Sequence, residues 1–374
     1  MTRIAWFVSA HGLGHAARTA AIAAELPPAV HVTVVSDFDR TFFDRRFRPG
    51  TGWRTGSFDA GCVQQDTLTI DRASTLNRAQ ECSLDNRARA EEWRSWLNSG
   101  RFDAVVCDVS PFPIALARSL GIPAFVVANF TWCSIYRAWP EAEGSVAEME
   151  SQYQMADRSF VPGPALDMPE LLRRETFPWV AATGTPRREE LASELGRTDS
   201  RIALVLPGAW GTPFDGNPSN AEGWCLVSLG AHGTQLPGVV ALDPDRWPHA
   251  DVVASVDVVL GKPGYGTVGE CAMAGTPMAF VRRPDFAESR VLEDWMEANG
   301  FGMPIERDDY LACRWTRVFD RLVALPRPSQ VPGGGARKVA DAILAGIAGT
   351  RLARAESSVR DVNDHVRNSS EEKR

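Results

Sequence analysis

One glycine-rich stretch restricts the possible folds of this chain more than any other. Residues 255–283 read SVDVVLGKPGYGTVGECAMAGTPMAFVRR. An apolar run, Val256–Leu260, precedes a glycine turn at residues 261–267, and a helical pattern leads from there to a second apolar run, Met278–Val281. This order predicts a strand–helix–strand unit of a parallel sheet.

The same turn predicts a nucleotide site. Gly264 and Gly266 let the backbone approach a ligand closely, and the helix start after them offers free N–H groups that suit phosphate. Glu270 projects from the first helical turn, where a carboxylate suits the paired hydroxyls of a ribose. Glycines in such a turn can also serve packing alone. The position of Glu270 and a second glycine turn near residue 12 favour the nucleotide.

Composition is typical of a soluble globular protein of two domains. The chain has 374 residues, of which 44% are hydrophobic and 23% charged. The net charge of −7 argues against nucleic-acid binding, and no run is long enough to predict a membrane span or a signal peptide. The seven cysteines show no C-x-x-C spacing, so we expect free thiols, a cytoplasmic location and no zinc site.

The predicted elements form two α/β halves. The first half shows strand patterns at 4–8, 31–36, 104–107, 123–128 and 180–182, helices at 16–26, 72–99 and 111–120, and helical character up to residue 160. The second shows strands at 201–206, 224–229 and 239–242, and helices at 288–299, 314–325 and 336–347. We therefore predict domains at 1–182 and 201–350, a linker at 183–200 and a polar tail at 351–374.

The first glycine turn, H-G-L-G-H at residues 11–15, contains a candidate base. His15 falls at a helix start, where the dipole disfavours the imidazolium, and a neutral imidazole can accept a proton. Asp108 ends a parallel strand and can meet His15, because the carboxyl ends of such strands face one crevice. A backbone-bonded histidine and a helix-capping aspartate are equally compatible with the spacing. Structural roles are favoured for His11 and, as a solvated side chain, for Arg18.

Other candidates line the same predicted crevice. Asn129 and Trp132 suit an acceptor pocket, since aromatic faces pack on sugar rings, although such residues more often belong to the core. Lysine occurs only at 262, 338 and 373, which draws attention to Lys262 inside the glycine turn. There is no Walker A motif, and no D-x-D pair stands in the cleft turns, so we expect neither a P-loop kinase nor a bound metal.

Several motifs together resemble a known group of enzymes. They are GHAAR at 14–18, VQQDTLTIDRASTL at 63–76, VVCDVSP at 105–111, ANFTWCSIY at 128–136, LGKPGYGTVGE at 260–270 and FVRRPDF at 280–286. The chain resembles GT-B glycosyltransferases of the MurG and UDP-glycosyltransferase group. Within this group it is most similar to the glycosyltransferase-like N-terminal region of plant L-arabinokinases and its stand-alone bacterial relatives.

This resemblance implies an α/β fold of GT-B type, with two Rossmann-like doubly wound domains facing across a cleft. The donor, a UDP-sugar, would bind to the second domain. The predicted donor-binding residues are Gly14, Gly208, Gly211, Gly230, Lys262, Gly264, Tyr265, Gly266, Thr267, Glu270, Asp285 and Glu288. The predicted acceptor-binding residues are His11, Asp66, Asn129 and Trp132. His15 would be the base and Asp108 its partner.

The predicted function is therefore an inverting, metal-independent glycosyltransferase that needs no cofactor beyond its donor substrate. The acceptor is a small molecule, and the sequence is also compatible with a homo-oligomer. Two alternatives stay open: a non-hydrolysing UDP-sugar epimerase, and a non-catalytic sugar-nucleotide-binding protein. The second alternative is motivated by Ser289, which stands where the resemblance leads us to expect a second Glu or Gln.

Overall fold

The computed structural model describes residues 1–352 except 199, 209, 219, 220 and 231–235. The elements of the first half are β1 (Thr2–Val8), α1 (Leu13–Ala24), β2 (Val30–Val35), α2 (Arg40–Arg46), β3 (Gly52–Arg54), β4 (Gln64–Asp66), β5 (Thr69–Ile70), α3 (Arg72–Ala88), α4 (Ala90–Gly100), β6 (Ala104–Asp108), α5 (Phe112–Ser119), β7 (Ala124–Val127), α6 (Trp132–Tyr136), a 3₁₀ turn (Pro140–Ala142), α7 (Glu143–Tyr153), β8 (Arg158–Pro162) and β9 (Arg174–Phe177).

The elements of the second half are α8 (Arg188–Glu194), β10 (Arg201–Leu206), β11 (Trp224–Leu229), β12 (Val239–Leu242), α9 (His249–Ser255), β13 (Val258–Gly261), α10 (Tyr265–Ala274), β14 (Met278–Val281), α11 (Ala287–Ala298), β15 (Gly302–Ile305), α12 (Arg307–Leu311) and α13 (Thr316–Ala324). A last helix, α14, occupies 335–352.

Two parallel sheets form the body of the molecule. The first has the strand order β3-β2-β1-β6-β7-β8-β9 and the second β12-β11-β10-β13-β14-β15. Their central strands are apolar and buried on both faces, as expected for parallel sheets covered by helices. A small antiparallel hairpin, β4-β5, stands apart from both sheets. This is the predicted architecture of two Rossmann-like sheets, and it is confirmed.

Strand register brings the carboxyl ends of functional strands together. In the first sheet Val8 at the end of β1 pairs with Asp108 at the end of β6. In the second sheet Gly261 at the end of β13 pairs with Phe280 of β14. The segments that follow these strands therefore emerge side by side, at the crevice end of each sheet.

Helix α10 begins earlier than the sequence predicts. It starts at Tyr265, with Gly264 as its N-cap, so the glycine turn is only three residues long. Its buried side consists of Val268, Gly269, Cys271, Ala272 and Met273. It ends at Gly275, whose φ of 69° is a left-handed conformation that glycine adopts without strain.

Two predictions for the end of the first half were wrong. The helical character predicted up to residue 160 ends with α7, and strand β8 covers Arg158–Pro162. The strand predicted at 180–182 is absent from the structure there, and the last strand of the sheet is β9, Arg174–Phe177. Strand β9 is an edge strand whose residues alternate between exposed and partly buried, so it lacks a long apolar run.

The chain crosses between the two halves twice. Trp179 packs in the core of the second half, whereas its neighbour Val180 packs in the core of the first. Helix α14 returns to the first sheet, where Val339 and Ile343 are completely buried. The predicted second domain, 201–350, contains most of α14. The structure shows that this helix packs on the first half. Residues 353–374 of the predicted tail lie outside the described residues.

Within the described part of the chain, no helix combines the length and the apolar character that crossing a membrane requires.

Candidate active site

His15 and Asp108 meet at the crevice end of the first sheet. His15 Nδ1 lies 2.7 Å from Asp108 Oδ1, and both side chains are buried. The turn before α1 is fixed on the strand that carries the aspartate, because the Ser9 N–H donates to the Asp108 carbonyl at 3.2 Å. The predicted pair is thus hydrogen bonded, while its catalytic role stays a prediction.

The tautomer of His15 follows from its partner. A carboxylate only accepts hydrogen bonds, so Nδ1 carries the hydrogen and donates it to Asp108. The lone pair then resides on Nε2, to which no described residue is hydrogen bonded. Phe130 and Trp132 border the ring, with centroids 5.5 and 6.5 Å away. The site therefore presents an oriented proton acceptor beside an aromatic wall.

Arg18 holds the other side of the same carboxylate. Its Nε donates to Asp108 Oδ2 at 2.9 Å and its Nη2 donates to Oδ1 at 2.6 Å. Thr19 Oγ1 donates to Oδ2 at 3.1 Å. Burial alone would raise the pKa of Asp108, but the Arg18 charge and the hydrogen bond from His15 hold that pKa below its usual value. Asp108 is therefore an ionised carboxylate whose charge is balanced by Arg18. The prediction that Arg18 is a solvated side chain was wrong.

Asn129 and Trp132, two predicted acceptor residues, are buried in the structure. The Asn129 amide accepts from Arg18 Nη1 and donates to the Pro162 carbonyl and, at 3.1 Å, to the Pro164 carbonyl. Trp132 is 1% exposed. Asn129 thus positions Arg18, and neither side chain presents a free surface of the size that a sugar ring requires.

His11 is a neutral acceptor in the core of the crevice. Its Nδ1 accepts the Cys62 N–H at 3.2 Å, and its ring lies edge-on to Trp132 with centroids 5.3 Å apart. Burial, together with the charges of His15, Lys262 and Arg283, lowers the pKa of His11 to about 3. The ring also packs on Gly61, where an added Cβ would lie 2.5 Å from Nδ1.

A small cavity lies on the far side of Trp132. It has a volume of about 50 Å³, room for a few water molecules, and its walls include Asp59, Cys82 and Tyr136. Ser9 Oγ donates to Asp59 at 2.7 Å and Ser110 Oγ also donates to it. Burial raises the pKa of Asp59 against the effect of these hydrogen bonds.

The hairpin β4-β5 of the first half contacts the glycine-containing segment that follows β10 in the second half. The Thr67 N–H donates to the Gly211 carbonyl at 2.9 Å and Thr67 Oγ1 donates to the Pro207 carbonyl at 2.8 Å. Gly208, with φ 83°, packs so closely on Thr67 that an added Cβ would lie 2.4 Å from its Oγ1. Asp66 fixes the hairpin turn by accepting the Leu68 N–H at 2.6 Å. The predicted site residues Asp66, Gly208 and Gly211 thus shape the contact between the halves.

The start of α10 is open on the crevice side. An added Cβ at Gly264 or Gly266 would meet nothing within 4 Å. Tyr265 reaches the first half, because its hydroxyl donates to the Asn129 carbonyl at 3.4 Å. Gly14 of α1, on the opposite side, is similarly open, and α1 packs against α10. Two helix starts therefore face each other, with space above their glycines and Thr267 in the first turn of α10.

Glu270 has a partner that the sequence did not predict. His249, the first residue of α9, is hydrogen bonded through Nδ1 to Glu270 Oε2. Burial lowers the pKa of His249, but the charge and hydrogen bond of Glu270 outweigh burial and raise it overall. Because α10 starts at Tyr265, Glu270 lies in its second turn and not in the first as predicted, and one of its carboxylate oxygens is already engaged.

Charged residues cluster after β13 and β14. Lys262 follows β13, Arg283 follows β14, and Glu288 lies in the first turn of α11. Burial and the Arg283 charge lower the pKa of Lys262 to about 8, with Glu288 acting in the opposite direction. Asp285 instead forms an ion pair with Arg72 of the first half at 2.8 Å. Gly230 directly follows β11 and has a φ of 72°.

Sequence reasoning missed His249, Asp59 and Arg283. Arg283 stands at the end of a strand next to the glycine-turn strand, and that position was a usable signal. His249 gave none, because it lies 21 residues before Glu270 on a different helix.

Comparison with known proteins gave one sequence relative and many similar structures. No protein-family profile matches the chain. The L-arabinokinase of Arabidopsis thaliana is 32% identical over 366 residues, which make up 91% of this chain and 34% of the relative. The chain therefore spans about a third of the length of that curated relative.

Solved structures share the fold at low sequence identity. A UDP-glucosyltransferase from Polygonum tinctorium that glucosylates indoxyl superposes with a TM-score of 0.66 at 14% identity, covering 93% of this chain and 99% of that one. Phytolacca americana UGT2, solved with UDP-2fluoro-glucose and pterostilbene, gives 0.61 at 11% identity, covering 93% and 100%. These similarities show the fold of the chain.

Proposed function

Because this chain is a GT-B glycosyltransferase-like protein, we propose that it transfers a sugar from a UDP-sugar to a small acceptor, with inversion and without a metal. In the proposed reaction an acceptor nucleophile attacks the anomeric carbon and forms the new glycosidic bond. The bond from that carbon to the diphosphate oxygen breaks, and UDP leaves. The acceptor proton passes to His15 Nε2.

The observation that carries this proposal is the hydrogen bond between His15 Nδ1 and Asp108. It fixes the ring so that Nε2 is the proton acceptor, and it does so at a helix start that faces α10. General-base catalysis of this type typically contributes about 10²–10⁴-fold to the rate. Arg18 Nη2 lies 3.3 Å from His15 Nδ1 and packs against the side of the ring opposite to Nε2.

Support for the donor comes from the start of α10. The space above Gly264 and Gly266 admits a diphosphate to the backbone N–H groups, which carry the positive end of the helix dipole. The leaving diphosphate would be stabilised there without a cation. Glu270 lies on the same helix for the ribose hydroxyls, and the Phytolacca enzyme with this fold was solved with a UDP-sugar analogue.

The test compares His15→Ala with the parent protein in a UDP-release assay. UDP-sugars are combined with a panel of phenols, hydroxylated ring compounds and free sugars, in parallel with and without EDTA. We expect turnover in the parent despite EDTA, and a fall of about 100-fold or more in His15→Ala with UDP affinity nearly unchanged. His31→Gln is the matched control, because His31 lies on β2 away from the crevice.

Each contrary result has a definite meaning. Undiminished turnover in His15→Ala would remove the base from the mechanism. Turnover that EDTA abolishes would refute metal independence. Conversion of the UDP-sugar without any acceptor would favour the epimerase, and UDP binding without turnover across the panel would favour a non-catalytic binding protein.

A further inference from the structure

Arg283 is a buried cation with unsatisfied N–H groups. The residue is 1% exposed, and Nη2 donates to Gln64 Oε1 at 3.4 Å. Among the described residues, Nε and Nη1 have no acceptor. The guanidinium carbon lies 3.1 Å from the centre of the Phe286 ring, but stacking satisfies no N–H group. A guanidinium in this condition is unfavourable until an anion accepts from it.

Arg283 belongs to a mixed group of buried charges. Burial lowers the pKa of Arg283 to about 10, and Glu288 is the carboxylate that opposes this most strongly. Lys262 contributes a second cation. Glu293 is engaged elsewhere, because its carboxylate accepts from the backbone N–H of Arg283 and from the side chain of Arg282. Asp66 of the hairpin β4-β5 opposes the lowering as well, so two acids accompany the two cations, and neither acid accepts a hydrogen bond from Nε or Nη1 of Arg283.

The two cations lie on the side of the cleft that faces the first half. Arg283 bonds to Gln64 of the hairpin β4-β5, and the charges of Lys262 and Arg283 both act on His11. His11 is four residues from His15 and contacts the same Trp132 ring. Gln64 Nε2 also lies 3.5 Å from His11 Nε2, so Arg283 and His11 share a neighbour on the first half.

We propose that Arg283 and Lys262 bind a carboxylate on the transferred sugar, so that the donor is a UDP-uronic acid. The inference rests on the proposed function, in which the diphosphate lies at α10 and the acceptor at His15, with the sugar between them. A carboxylate accepts several hydrogen bonds, which matches the free N–H groups of Arg283. The diphosphate is the other anion of such a donor, so the experiment must separate the two.

Titration calorimetry on the full chain with UDP, UDP-glucose and UDP-glucuronate makes this separation. We expect UDP-glucuronate to bind the parent at least about tenfold more tightly than UDP-glucose. In Arg283→Met we expect the two sugars to bind within about threefold of each other, while the affinity for UDP also stays within about threefold of the parent. Arg283→Lys, which keeps the charge, should retain part of the preference.

Arg282→Met is the matched control, because Arg282 is adjacent, half exposed and paired with Glu293 and Glu297. It should keep the preference. Equal affinity of the parent for the two sugars would overturn the inference, as would a loss in Arg283→Met that is equal for UDP and both sugars, since that result assigns Arg283 to the diphosphate. Absence of UDP binding would instead refute the proposed function. If Arg283→Met fails to fold, the inference is tested by the ratio of the parent's affinities for UDP-glucuronate and UDP-glucose and by the same ratio in Lys262→Met.

Discussion

Asp108 accepts hydrogen bonds from both His15 and the charged Arg18, and the arginine changes what the carboxylate contributes. In a simple His–Asp pair the negative charge both orients the imidazole and stabilises its protonated form. Here Arg18 forms two hydrogen bonds to Asp108, so much of that charge is already offset. The role that the geometry gives Asp108 is therefore to fix the tautomer of His15. Asn129 completes the arrangement by holding the third nitrogen of Arg18.

Replacing Arg18 by Met should expose the cost of this buried charge. Asp108 is completely buried, so removal of its cation should lower the free energy of unfolding by about 3–5 kcal/mol at about pH 7. In the parent the pKa of Asp108 is lowered, so its stabilisation is present above the unfolded pKa and lost as pH falls through the folded pKa. In Arg18→Met burial should raise the pKa of Asp108, so that the carboxyl group becomes neutral at a higher pH. The difference in the free energy of unfolding between the parent and Arg18→Met should therefore be smaller at about pH 4.5 than at about pH 7. Urea unfolding of both proteins at these two pH values measures this difference.

The double variant Arg18→Met with Asp108→Asn is the control. It removes both charges, so we expect it to be more stable than Arg18→Met alone at about pH 7. Strictly additive losses would contradict the view that Arg18 compensates Asp108.

Residue spacing predicted the part of the site that strand topology controls. His15 and Asp108 follow neighbouring strands, and the ends of such strands must meet. Arg18, His249 and Arg283 depend on long side chains that reach across helices or between halves. Those contacts form over sequence separations of 90, 21 and 219 residues, and spacing along the chain does not specify them.

Helix α10 contains two kinds of glycine. Gly266, in its first turn, has open space where a side chain would stand. Gly269, one turn later, packs so tightly that an added Cβ would lie 2.8 Å from the Cβ of Ala181 and 3.0 Å from the Trp179 ring. The first suits a ligand that contacts the backbone, and the second suits packing of one segment on another.

The pair Gly266→Ala and Gly269→Ala separates these roles. Gly266→Ala should leave stability unchanged or raise it by up to about 1 kcal/mol, since alanine favours helix, yet weaken UDP binding at least about tenfold by filling the phosphate space. Gly269→Ala should lower the free energy of unfolding by about 1–3 kcal/mol through overpacking. Thermal unfolding and calorimetry with UDP measure both effects. Unchanged UDP affinity in Gly266→Ala would place the diphosphate elsewhere.

The elements that sequence patterns missed are those without a pattern of their own. Strands such as β1 and β10 are continuous apolar runs and were predicted within two residues of their bounds. Strand β9 has the sequence Arg-Glu-Thr-Phe. It lies at the edge of the sheet, where its side chains remain partly exposed and can be polar, so it shows no apolar run by which to predict it. Val180 misled the prediction, because it is buried as part of the crossing segment without being a strand.

At the scale of the whole molecule, the halves are joined by crossings of the chain as well as by contacts in the cleft. The ion pair of Arg72 with Asp285 and the hydrogen bonds of Thr67 are polar and small in number. Helix α14, by contrast, carries the C-terminal end of the second half onto the core of the first sheet. The first half therefore needs residues far along the chain to complete its core.

Ile343→Ala tests this dependence. Ile343 is completely buried against the first sheet, so its truncation should lower the free energy of unfolding by about 2–5 kcal/mol. Leu325→Ala, at a position 53% exposed, should change it by less than about 0.5 kcal/mol. Because the core around Ile343 contains no residue of α10, the folded Ile343→Ala protein should bind UDP as the parent does. Equal stability of the two variants would show that α14 is not part of the first core, and weakened UDP binding in Ile343→Ala alone would show that the donor side depends on how α14 holds the halves together.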